Sequence, residues 1–292
     1  MTLRDMIDML LLAALWGVSF LFMRIAGPEF GAVALVGVRV AVAALFLLPI
    51  LLLRGDLAEL RVNWGRTAVL GTFNSALPFI LFVYSTFYIT GGFSAILNAT
   101  APLWAALIAW IWLSDRLTAS QGTGLVVGFA GVYLLVWDKV SFTISGTLLA
   151  ILAAIIASAS YGFAANMTIR YARDVKPLVL ATGSQLAATG LVLPGALLTW
   201  PDAPVSPPAW AAALGMGVGS TGLAYMLYFR LIANIGASRA IAVTYLVPAF
   251  AMIFGAVFIN EIVTLTMLVG CAIILLGTSL ATGMLTLTRG RL

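Results

Sequence analysis

Almost the whole chain consists of apolar stretches long enough to cross a bilayer, which leaves few folds open to it. A hydrocarbon core about 30 Å thick is spanned by roughly 20 residues of helix. Such stretches run over residues 6–26, 32–53, 66–88, 92–113, 119–137, 146–167, 177–200, 209–231, 238–259 and 265–286. In hydrocarbon every backbone N–H and C=O must be bonded within the protein, so a spanning segment is a helix or part of a closed barrel. The apolar runs are unbroken and lack the two-residue alternation of a barrel, so they predict an all-α integral membrane protein. Composition agrees, with 63% hydrophobic and 9% charged residues against about 25% charged in a soluble domain. The longest connectors, RGDLAELRVNWGR and PDAPVSPP, leave no room for a soluble catalytic domain. Arg4 precedes the first run, but Asp5 and Asp8 sit in its leading segment and no small-x-small cleavage site follows. That stretch is expected to be a retained helix and not a secretory leader.

The 15 basic residues are unevenly shared between alternate connectors. One side, with both termini, collects Arg4, Arg54, Arg61, Arg66, Arg116, Arg170, Arg173, Lys176, Arg230, Arg239, Arg289 and Arg291. The other has Arg24 and Lys139, while Arg39 falls inside a span. The positive-inside rule therefore places both termini in the cytoplasm. The formal charge of +5 reads as membrane orientation, and no nucleic-acid partner is expected. A lone Cys271 cannot form an internal disulfide and reads as small apolar packing.

A shift of 146 residues, half the chain, lays Pro102 on Pro248, Asp115 on Glu261, Thr118 on Thr264, Gly124 on Gly270 and Gly131 on Gly277. Gly37 and Arg39 then fall on Gly183 and Gln185, and Gly71 on Gly217. With a shift of 145, Trp16-Gly17 meets Tyr161-Gly162 and Pro49 meets Pro194. The chain thus reads as a duplicated five-helix unit, residues 1–139 and 140–292. Five is odd, so the second copy enters the membrane from the opposite side. The expected architecture is ten transmembrane helices in two inverted five-helix repeats around a central cavity, where a small molecule sits between the halves and is exposed to each side in turn.

The first-helix segment ALWGVSFLFMR and the second-helix segment GVRVAVAALFLLP resemble the drug/metabolite transporter superfamily, in particular its ten-helix exporters with two EamA domains. The most specific resemblance is Pro102 followed by Asp115, Arg116, Leu117 and Thr118, repeated as Pro248 with Glu261 to Thr264. It covers nearly the whole chain. The resemblance implies a multi-pass protein of the bacterial inner membrane that exports small metabolites by alternating access. Within the family, Asn98 four residues before Pro102, together with Tyr84, Tyr161 and Tyr225, looks most like an aromatic amino-acid exporter. The second repeat departs from the pattern, because Asn260-Glu261-Ile262 has no basic residue after the acid. The expected partners are the lipid bilayer and a small-molecule substrate such as an amino acid, with the protein a monomer and with no cofactor or metal.

Four prolines, Pro78, Pro102, Pro194 and Pro248, fall within spans and are expected to kink their helices. Each frees the carbonyl four residues upstream, which belongs to Asn98 for Pro102 and to Thr244 for Pro248; both also offer polar side chains. Other polar groups at membrane depth are costly to leave facing lipid and are expected to line the cavity. They are Asn74 and Ser75, Ser158 and Tyr161, Gln185, Ser220 and Thr221, Tyr225 and Tyr245, with Tyr84 and Trp16 as aromatic wall. Such a neutral lining suits a small zwitterion better than a phosphorylated sugar. Arg39 is expected to snorkel outwards or to bond helix-end carbonyls, with a substrate carboxylate as the alternative partner. Asp115, roughly 20 Å along the helix from Pro102, is expected at the cytoplasmic surface as an N-cap for the next helix or in an ion pair, a gate being the alternative.

The chain has no histidine, and its 10 acids fall at or near connectors, so tight proton coupling is not expected. An intramembrane enzyme would need buried histidine, paired carboxylates or a serine with a base, none of which the sequence supplies. Residues 217–222 read GVGSTG, a formal GxGxxG, but lie within a span without a βαβ context and predict close helix packing instead. The alternatives left open are a multidrug exporter of hydrophobic cations and a channel. The fifth and tenth helices carry few polar residues and are expected at the periphery.

Overall fold

A computed structural model describes residues 2–114, 116–137, 146–235 and 240–286, and among these there is helix but no strand. In chain order the helices are α1 (Leu3–Phe30), α2 (Ala32–Leu53), α3 (Leu57–Val62), α4 (Trp64–Gly71), α5 (Leu77–Ser85), α6 (Gly91–Asn98), α7 (Ala101–Leu113), α8 (Ala119–Val136), α9 (Gly146–Tyr171), α10 (Pro177–Leu198), α11 (Pro207–Gly215), α12 (Ala224–Ile235), α13 (Val247–Ile259) and α14 (Leu265–Ala281). Two π-helical segments, Thr72–Ala76 and Met216–Leu223, join α4 to α5 and α11 to α12, and a 3₁₀ segment, Ile241–Tyr245, precedes α13. Among the described residues eight helical stretches are long and apolar enough to cross a membrane, and Val243–Ile259 and Leu265–Ala281 are shorter apolar helices.

The helices pair in a pattern that repeats between the halves. α2 packs on α10 and α8 on α14; α5 and α7 both pack on α9, while α11, α12 and α13 pack on α1. Glycines set the closest approaches. A Cβ on Gly277 would collide with the Gly128 backbone and lie 2.8 Å from the Gly124 carbonyl oxygen, and one on Gly131 would lie 3.0 Å from the Ile274 nitrogen. The glycines of the fifth and tenth spans therefore let two backbones touch. Gly217 and Gly222, from the formal GxGxxG, likewise pack against Val42 and Phe46.

Pro102 and Pro248 do not kink a continuous helix, contrary to the sequence expectation. Each stands in the first turn of a new segment, just after a break, where a missing N–H leaves no intrahelical bond unmade. Pro78 follows the first π segment inside the uninterrupted helical stretch Trp64–Ser85. Pro194 differs again: α10 runs through it unbroken and it is exposed on the outer face, so it lines nothing. At the α6–α7 break the carbonyl that finds new partners is that of Leu97, not Asn98. It accepts from Thr100 Oγ1 at 2.6 Å and from Ser158 Oγ of α9 at 2.9 Å. Ser158 is fully buried and fastens two helices, so it is not part of a cavity wall. Ser158→Ala should therefore cost about 1 kcal/mol, read as a fall of about 2–4 °C in melting temperature with little change in transport.

Charged groups fasten both ends of α1. Asp8, which lies inside α1 and is buried, takes two bonds from Arg230 of α12, and Asp5 accepts from Asn234 Nδ2 at 3.0 Å. The helix begins at Leu3, so both aspartates lie in its first two turns, near the chain end as their position in sequence implies. At the far end Glu29 accepts from the Ser206 backbone N–H and hydroxyl, each at 2.7 Å. Asp115 lies outside the described residues. The N-cap of α8 is Thr118, in a capping box with Gln121, so the capping role foreseen for Asp115 belongs to Thr118.

Candidate functional site

The site is built on the two π-helical segments. A π turn closes wider than an α turn and commonly marks functional positions. Gly71 and Gly217 precede or open these segments and press against α10 and α2: a Cβ on Gly71 would lie 2.5 Å from the Ser184 carbonyl oxygen, and one on Gly217 would lie 3.1 Å from the Arg39 carbonyl oxygen. One turn later, the hydroxyl in each segment meets a long polar side chain from the helix it touches. Gln185 Nε2 of α10 donates to Ser75 Oγ at 2.8 Å, and Arg39 Nε of α2 donates to Thr221 Oγ1 at 3.1 Å. The same shift of 146 that relates Arg39 to Gln185 relates Ser75 to Thr221, so the two bonds are equivalent across the halves.

Aromatic rings complete the arrangement. The Arg39 guanidinium carbon lies 3.6 Å above the centroid of Phe79, and the residue equivalent to Phe79 in the second half is Tyr225. Tyr225 OH accepts from Asn74 Nδ2 at 3.0 Å. Tyr161 stacks on Phe82 with centroids 5.9 Å apart. Asn74, Tyr161 and Tyr225 are half-buried, whereas Ser75, Gln185, Ser220, Thr221 and Arg39 are buried. Arg39 is only 4% exposed, which overturns the expectation that it snorkels. Its Nη1 has no hydrogen-bond partner, and neither has Gln185 Oε1 or Ser220 Oγ.

Not every residue singled out by sequence joins this cluster. Trp16 is half-buried against Tyr228, with centroids 5.4 Å apart. Tyr84 packs against Phe87 and Tyr88 near the end of α5. Tyr245 OH bonds Thr282 Oγ1 at 3.2 Å, which draws it towards the end of α14. Asn98 and Thr244 are half-buried at the two helix breaks. Phe79 carries no polar group to mark it in the sequence; the 146-residue shift that lays it on Tyr225 is the signal that would have found it.

A second constellation lies at the end of the molecule away from the N-terminus. Asn260 adopts a left-handed conformation (φ 54°), as does its equivalent Ser114 (φ 57°), and each ends its helix. The reversal at Asn260 folds Glu261 back under α13, where Gly255 leaves room: a Cβ there would lie 2.5 Å from Glu261 Oε2. The carboxylate then accepts from the Gly91 N–H at 2.9 Å and the Gly92 N–H at 3.4 Å, the first turn of α6. Arg24 Nε pairs with it at 3.0 Å while Arg24 Nη1 donates to the Thr86 carbonyl oxygen at 2.5 Å. The carboxylate thus caps the N-terminus of α6 and forms an ion pair with Arg24 of α1, tying α1 and α6 to the end of α13. Among the described residues no group of His, Cys, Asp and Glu is placed to hold a metal ion.

Comparison with known proteins supplies the family context. A family model described as EamA-like transporter family matches residues 6–137 and 145–283. An uncharacterized transporter of Archaeoglobus fulgidus is 21% identical over 285 residues, which is 94% of this chain and 97% of that protein. The uncharacterized transporter YvbV of Bacillus subtilis is 22% identical over 90% of this chain and 86% of its own length. A probable terminal-alkyne amino-acid exporter of Streptantibioticus cattleyicolor is 24% identical over 69% of this chain and 67% of its own. A solved structure described only as the crystal structure of a protein shares the fold, with a TM-score of 0.66 at 18% identity over 96% of this chain and 98% of the other.

Proposed function

The chain belongs to the EamA-like transporter family and is a multi-pass membrane transporter, and on that premise we propose that it exports small zwitterionic metabolites, amino acids including aromatic ones, by alternating access. The observation that carries this reading is the buried pair of equivalent bonds, Arg39 to Thr221 and Gln185 to Ser75. It supports two inverted five-helix repeats, residues 1–139 and 140–292, meeting at a polar site between the halves. The repeated helix pairing and the double family match support the same division. In this reading both termini face the cytoplasm of a bacterial inner membrane, the Arg24–Glu261 clasp faces outward, and the protein works as a monomer in lipid.

The cluster carries hydroxyls, amides and aromatic faces, which suits a zwitterion with a varied side chain. Its one charge is a cation, which disfavours export of hydrophobic cations. Every buried carboxylate among the described residues is engaged: Asp5 with Asn234, Asp8 with Arg230, Asp56 with Lys176 and Glu261 with Arg24. No free carboxylate there is poised to carry a proton, which supports facilitated diffusion.

Purified protein in liposomes should show saturable counterflow of labelled amino acids, with aromatic ones among the best competitors. An open pore would show no counterflow, and that result rejects the carrier reading. Substrate-driven proton movement should stay far below one per substrate; a one-for-one ratio rejects uncoupled transport.

A further inference from the structure

We infer that Arg39 is the anchor for a single carboxylate on the transported molecule, and that this group sets substrate class; the inference rests on the transporter reading above. Arg39 is 4% exposed and lies between α2, the second π segment and α5. Its partners are a neutral hydroxyl, Thr221 Oγ1, and a ring face, Phe79. Among the described residues no carboxylate forms an ion pair with it, and its Nη1 is buried without any hydrogen-bond partner. A buried cation left in this way is costly unless something neutralises it.

The symmetry of the site shows where the charge is exceptional. In the second half the equivalent residue is Gln185, and its bond to Ser75 mirrors the bond of Arg39 to Thr221. A glutamine thus makes the same structural contact without a charge. The hydrogen bond to the π segment therefore does not explain the guanidinium at position 39, and the vacant Nη1 edge is what arginine adds. It is a directed, permanently charged donor, suited to a carboxylate oxygen. A phosphoryl group carries about −1.5 to −2 near neutral pH, so one guanidinium would leave it with unbalanced negative charge. A carboxylate balances the site.

In this inference two further buried, unpartnered groups receive the other end of an amino acid. Gln185 Oε1 and Ser220 Oγ, both buried and unpartnered, offer acceptors to an ammonium group. Tyr161, Tyr225 and Phe79 supply aromatic surface for a side chain. Recognition is then divided: Arg39 reads the carboxylate, while Gln185 and Ser220 read the ammonium group and the rings from both halves read the side chain.

The test uses the full-length protein in detergent and in liposomes, with matched probes that keep the aromatic ring and change the charged groups: L-phenylalanine, L-phenylalaninol, 3-phenylpropionate and phenyl phosphate. Wild type should be thermally stabilised by L-phenylalanine and 3-phenylpropionate, and L-phenylalaninol should require at least tenfold higher concentration for the same shift. Arg39→Gln should abolish that preference, and Arg39→Lys should retain part of it. Equal stabilisation by L-phenylalaninol and L-phenylalanine, strongest stabilisation by phenyl phosphate, or no shift with any probe overturns the inference. So does a carboxylate preference that survives in Arg39→Gln. If 3-phenylpropionate acts and no amino acid does, the carboxylate anchor stands and the amino-acid reading falls. The wild-type comparison needs no variant, so a poorly folding Arg39→Gln does not blunt it.

Discussion

Gly277→Val is expected to lower the melting temperature of the detergent-solubilised protein by about 6–12 °C, a loss of about 3 kcal/mol for overpacking a well-packed contact. At this crossing of α8 and α14 the two backbones touch. A Cβ on Gly277 meets the Gly128 backbone and the Gly124 carbonyl oxygen, and one on Gly124 meets Ala281 and, at 2.7 Å, the Gly277 carbonyl oxygen. The obstructing atoms are backbone, so no side-chain rotation relieves the clash, and the helices must separate along their length. Separation forfeits the dispersion contacts that drive helix association in lipid, where there is no hydrophobic gain to offset it. A neutral outcome at Gly277 would mean that α8 and α14 do not approach as described. Gly122→Val is the control, since nothing lies within 4 Å of a Cβ there.

Glu261→Ala should cost about 2–3 kcal/mol, since it strands buried donors that the carboxylate satisfies. Two N–H groups at the start of α6 lose their acceptor, and Arg24 loses its ion-pair partner. Arg24 is about one-third exposed, so solvent limits the ion-pair part of this loss to roughly 1 kcal/mol. Glu261→Gln keeps an acceptor for the N–H groups and should retain about half of the stability. Melting temperatures of Arg24→Gln, Glu261→Gln and the double variant form a cycle. The double variant should be less damaged than the sum of the singles; strict additivity would show that the pair does not act as a unit.

The apolar spans were legible because the bilayer imposes a length on each. The correspondence on which the proposed repeat rests was legible because matching prolines, acids and glycines recur at an offset of 145 or 146 residues. Less legible were the helix breaks. Pro102 and Pro248 signalled a disturbance, but whether a proline bends a helix or opens a new one depends on who accepts the freed backbone bonds. Here Ser158, from a helix over fifty residues away, accepts that task for Leu97, and no local pattern announces it. The π segments are not announced in sequence: Thr72–Ala76 contains no distinctive residue, and the glycines of Met216–Leu223 signal close packing without signalling a widened turn. Arg39 was misdirected for a general reason: the energetic rule favours snorkelling, and only the neighbouring Phe79 and Thr221 make an inward rotamer tenable. Tyr84 and Tyr245 show the converse, in that an aromatic polar residue at membrane depth can be engaged by a neighbour away from the centre.

The widened turns also fix the angular phase of α5 and α12, the helices that leave them. One residue corresponds to about 100° around an α-helix. Relaxing Thr72–Ala76 to an ordinary α-helix with no residue removed would swing Phe79 by roughly that angle away from Arg39. The same relaxation in Met216–Leu223 would carry Tyr225 away from Asn74. Each segment therefore works as a rotational offset, and residue counting along a straight helical wheel misassigns every face beyond it.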